Sequence, residues 1–121
     1  MVPHTNQADR APDVINNSWG CPADEGCTAG NEVRQAIENL VAGGIVFVAS
    51  AGNDGSSCQT IFSQPGTLDA AFVVGSMTSS DTMSGFSSRG PVPGLGEVKP
   101  DVIAPGSSVR SITNSGDNSY T

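Results

Sequence analysis

The stretch IVFVAS at 45–50 leaves this chain little choice of architecture. It is an unbroken apolar run, entered from Gly43-Gly44 and left at Gly52. Such a run suits a strand covered on both faces inside a parallel sheet. Just before it, Val33, Ala36, Ile37, Leu40 and Val41 recur at i, i+3, i+4, i+7 and i+8, which predicts a helix over 29–42 with one apolar stripe. Thr28 is its expected N-cap, and the glycine pair is its stop. Upstream, DVINNSW (13–19) predicts a short strand built on Val14 and Ile15. Strand, helix and strand in about 35 residues make a crossover unit, so the fold class is α/β. AAFVVGS (70–76) and Val102-Ile103-Ala104, closed by Pro105-Gly106, add two further strands.

Three to four parallel strands with one main helix are an uneven set. A parallel sheet buries both faces, and the predicted helix covers one. The expectation is a partial, truncated doubly wound parallel sheet: a single domain over 1–121, with half of a larger fold missing rather than an unusual small one. Neither an internal repeat nor a linker divides the chain. With 15 glycines, 8 prolines, 36% apolar residues and six aromatics, the domain is expected to be rich in loops and thin in core.

Charge narrows the partners. Twelve acidic residues face five basic ones, for a net charge of −7. No basic patch is available to neutralise phosphates, so neither nucleic acid nor an anionic membrane is an expected partner. No apolar run nears the ~20 residues of a membrane span. The opening MVPHTNQADRAP has no apolar core of a signal peptide, and residues 1–12 are expected to be an approach loop or a fraying helix end. Cys21, Cys27 and Cys58 form no Cys-x-x-Cys pair and His4 is the only histidine, which argues against a metal cluster. A disulfide closing the small loop between Cys21 and Cys27 is one option; the pairing stays open, and a third thiol is left over.

The chemistry turns on Asn53. In GNDG (52–55) it ends a strand at its carboxyl edge, where open α/β sheets place their ligands. Its amide could donate to an anionic oxygen, although any turn needing positive φ would use the same tetrapeptide. FSSRGPVPG (86–94) lacks the glycine spacing of a phosphate loop, so a nucleotide site is disfavoured and Arg89 is expected to bridge loops.

Taken in order, NNSWG, VFVASAGNDG, FSSRGP and KPDVIAPG resemble the subtilisin-like serine proteases (subtilases) of secreted bacterial type, from about Asp13 onward. The resemblance implies a peptidase working through an acyl-enzyme, with a peptide or protein substrate and an extracellular setting. It implies that Asn53 helps form the oxyanion hole. Ser18, Trp19 and Gly20 would line one wall of the substrate pocket, Ser50, Ala51 and Gly52 the other, with Ser63 at the floor. Asp54 would stand at the rim. No cofactor is implied as a requirement, but a weak calcium or monovalent-cation site is, formed by Asp101 with carbonyls near Gly66, Leu68 and Ala71.

The departures are equally specific. The family's Asp and His segments should precede NNSWG, and His4 lacks their context. None of the sixteen serines stands in a Gly-Thr-Ser-Met-Ala segment. These 121 residues are therefore expected to lack the triad and, taken alone, to be inactive. The competing expectation is a non-catalytic binding module that forms homo-oligomers through an open sheet edge at 14–18.

Overall fold

The four apolar runs pair side by side in a computed structural model, which describes residues 10–27 and 33–112. Strands β1 (Val14–Asn17), β2 (Val46–Ser50), β3 (Phe72–Met77) and β4 (Val102–Pro105) form one all-parallel sheet in that spatial order. The pairings Val14↔Val46, Val48↔Phe72 and Val74↔Val102 fix the register. Helix α1 (Arg34–Ala42) connects β1 to β2. It stops where predicted: Gly43 N–H donates to Asn39 O, and Gly44 turns the chain with a φ of 88°. His4, the Thr28 cap and the residues preceding Val33 in the expected helix lie outside the described residues.

The buried stripe of α1 is narrower than predicted. Ile37 is buried, with Val33 and Leu40 packed partly against the core, while Ala36 and Val41 face solvent. Beneath the helix lie Phe47, Ala49 and Val73 from one face of the sheet. Ala51, Ile61, Leu68, Ala71 and Val92 from the loops complete this core.

The other face is different. By strand alternation, Val14, Val46, Phe72 and Val102 share it, and they are 43–55% exposed. Coverage on both faces is thus met on one face only among the described residues. The apolar run is suited to two layers, and a single helix supplies one.

A disulfide joins Cys21 to Cys27 around a short 3-10 helix at Ala23–Glu25, and Cys58 is free and exposed. Among the described residues, no helix is long and apolar enough to cross a membrane, and no cluster of three His, Cys, Asp or Glu could hold a metal.

Candidate functional site

The carboxyl end of β2 is extended by one rung, Ala51 N–H to Val74 O at 2.9 Å, before the chain turns at Gly52 with a φ of 101°. That turn is pinned to the segment Phe86–Ser88. Ser88 N–H donates to Gly52 O at 3.1 Å, Asp54 N–H to Ser88 Oγ at 3.0 Å, and Gly55 N–H to Phe86 O at 2.9 Å. A β-carbon at position 52 would lie 2.9 Å from Ser88 Oγ, so both dihedral and space call for glycine. Asn53 stands at the crest. It is exposed, and its side-chain amide has no hydrogen bond among the described residues. Asp54 folds back instead, with Oδ2 3.5 Å from Ser88 Oγ.

At the neighbouring edge, the Asn17 amide donates to Val48 O at 3.2 Å and fastens the end of β1 to β2. Trp19 Nε1 donates to Asn17 Oδ1 at 3.1 Å, yet its ring is 44% exposed, so it is not a core aromatic. Ser18 Oγ accepts a long bond from Asn16 Nδ2. Gly20 meets the next segment closely: a β-carbon there would be 2.9 Å from Ser63 Oγ. Cys21 N–H donates to Gln64 O at 2.8 Å and holds the two segments together. Gly66 closes the group, with its β-position 3.3 Å from Ser50 O and 3.4 Å from Ser63 O. The stretches 18–20, 50–53 and 63–66 therefore converge, although they are distant in sequence.

The arrangement offers a primary amide that is unpaired among the described residues, and glycine-lined backbone, to an extended ligand. No imidazole is among the described residues. A separate hollow of about 690 Å³, lined by Phe62, Gln64, Val92 and Leu95 beside the disulfide, contains none of the predicted site residues.

Asp101, Gly66, Leu68 and Ala71 do not present free oxygens alike. Leu68 O accepts Ala71 N–H at 3.1 Å. Ala71 O accepts Lys99 Nζ at 3.0 Å, and Lys99 Nζ reaches Asp101 Oδ2 at 2.8 Å and Oδ1 at 3.0 Å. Val73 N–H donates to Asp101 Oδ2 at 2.7 Å. Burial of Asp101 opposes its charge, but the Lys99 hydrogen bond, the Val73 N–H and the lysine charge outweigh it. Its carboxyl thus sits below the ordinary 3.8.

Two features escaped the sequence reading. Lys99 was legible: Lys-x-Asp on extended chain puts both side chains on one side. The buried hydroxyls of FSSRGP carry no such signal. Ser87 Oγ takes Ser76 N–H at 3.0 Å on β3, while Ser88 holds the turn. Arg89 does bridge loops, through its backbone: its N–H donates to Thr60 Oγ1 and its carbonyl accepts Thr60 N–H, both at 2.9 Å.

A family model described as the subtilase family matches residues 4–121. Subtilisin DY of Bacillus licheniformis is 41% identical over 110 residues, which cover 90% of this chain and 35% of that protein. Serine protease AprX of Bacillus subtilis is 39% identical, covering 71% of this chain and 20% of that protein. The solved structure of Sphericase superposes with a TM-score of 0.70 at 28% identity, over 89% of this chain and 36% of that one. The chain thus spans about a third or less of the length of these relatives.

Proposed function

The chain belongs to the subtilase family, and from that premise we propose that it forms the substrate-binding and oxyanion-stabilising centre of a serine endopeptidase. One observation carries the reading. Asn53, whose amide has no partner among the described residues, stands at the crest of a glycine turn beside the converging stretches 18–20, 50–52 and 63–66. Catalysis by such a donor depends on its being fixed before charge develops on the substrate carbonyl. The Ser88 hydrogen bonds to Gly52 and Asp54 hold the backbone on either side of Asn53 and would supply that fixation. Nucleophile and base would come from segments of the kind found in family relatives, because these 121 residues hold no Gly-Thr-Ser-Met-Ala and no histidine but His4. The disulfide is in keeping with a secreted, oxidising setting.

The test is a chimaera in which this chain replaces the matching third of Subtilisin DY. It should cleave peptide substrates, and Asn53→Ala within it should lower kcat by about 10²–10³-fold with little change in KM, a magnitude carried over from a related subtilisin. The 121-residue chain alone should show no turnover and no labelling of serine by an organophosphonate. A folded chimaera indifferent to Asn53→Ala, or a labelled and active isolated chain, would refute the proposal.

A second reading, a non-catalytic module that associates with itself, is favoured by the exposed apolar sheet face and by β1 lying at the sheet edge.

A further inference from the structure

Among the described residues, Lys99 is the one charged side chain in the buried class, at 6% exposure. An ammonium has three protons, and here three oxygens receive them: Ala71 O at 3.0 Å, Asp101 Oδ1 at 3.0 Å and Asp101 Oδ2 at 2.8 Å. One carboxylate and a loop carbonyl are also the donor types that hold a hard cation. Here the space between them is filled by a positive charge on a covalent tether. A free cation would have to expel that ammonium or share its oxygens against direct repulsion. Leu68 O, a further candidate ligand, already accepts Ala71 N–H and has one lone pair left to offer. The residues present do not fit the cation that the family resemblance implies.

We propose that the Lys99 ammonium is the resident cation of this oxygen cradle, and that it replaces a metal ion in holding the loop 65–71 against the entry to β4. The lacing is continuous. Asp101 N–H donates to Val73 O at 2.9 Å and the Asp101 carboxylate accepts Val73 N–H, so both strand starts are tied at the lysine.

The test uses the 121-residue chain at neutral pH. Its Tm should not change when calcium is raised to about 10 mM, tenfold above the weakest extracellular-module dissociation constants of about 10⁻³ M. Exchange of sodium for potassium, or addition of a chelator, should leave it equally unmoved. Lys99→Ala should lower Tm by on the order of 5–10 °C through loss of the buried lysine stem and its hydrogen bonds to Ala71 O and Asp101. Calcium or sodium should then restore part of the loss, and the restoration should vanish in the Lys99→Ala, Asp101→Asn double variant. A wild-type Tm that rises with calcium and stops doing so in Asp101→Asn would overturn the proposal. So would a Lys99→Ala protein that melts like wild type, or one that no cation rescues. Should Lys99→Ala not fold, the nitrogen-15 resonance of Lys99 in the wild type, the one lysine of the sequence, decides. A Lys99 ammonium signal unmoved by calcium supports the proposal, and one displaced by calcium overturns it.

Discussion

A methyl group at position 52 would have to adopt a φ of 101° and would sit 2.9 Å from Ser88 Oγ, an atom already committed to Asp54 N–H. Gly52→Ala is therefore expected to destabilise the chain by roughly 1–3 kcal/mol, the usual cost of a strained backbone position, measured as a lower urea midpoint. Gly52→Ala with Ser88→Ala should relieve the clash but leaves the dihedral strained and takes the acceptor from Asp54 N–H, so the double variant should not regain wild-type stability. At Asp101 the sign follows from its lowered pKa. A carboxyl that ionises more readily folded than unfolded stabilises above the unfolded value of about 4. That contribution is lost as pH falls through the lower folded value. Tm measured from neutrality down to about pH 3 should fall more steeply for wild type than for Asp101→Asn, and equal slopes would contradict the geometry around Val73 and Lys99.

The elements were legible to different depths. All four strands stand within a residue or three of their predicted ends, because β-branched runs bounded by glycine or proline leave few alternatives. Periodicity found α1 but overstated its buried width: Ala36 and Val41 share the stripe by spacing, yet only Ile37 reaches full burial. Spacing says which residues share a face, and the layer opposite decides how much of that face is covered. Ile37→Ala should accordingly cost about 2–5 kcal/mol in urea unfolding with m unchanged. Ala36→Ser, on the exposed side, should stay within about 0.5 kcal/mol. At the candidate site, turn chemistry marks Gly52 and Asn53, and motif order marks the stretches proposed as pocket walls. Ser87 and Ser88 could not: a buried hydroxyl and a solvated one look alike in a list of residues.

At the scale of the whole molecule, the described residues cover one face of the sheet and leave the other largely open. Val14, Val46, Phe72 and Val102 form an apolar surface next to the edge strand β1. Surfaces of that kind recruit other chains. The 121-residue chain is expected to self-associate, and Val46→Lys with Phe72→Lys should shift it toward monomer in light scattering. A strict monomer at high concentration would leave the second reading without support. Net charge works the other way, since a chain at −7 repels its copies, and raising ionic strength should strengthen association.

If the proposed function holds, the two hydroxyls of Ser87 and Ser88 bear on how the enzyme containing this chain would age in use. One is fastened to β3 and its neighbour to the crest that carries Asn53, so the aim of an outward-facing amide is set by the anchorage of a strand to which it does not belong. Warming that loosens the excursion between β3 and β4 would spoil the aim while the sheet still stands. Turnover would then fade at a lower temperature than ellipticity.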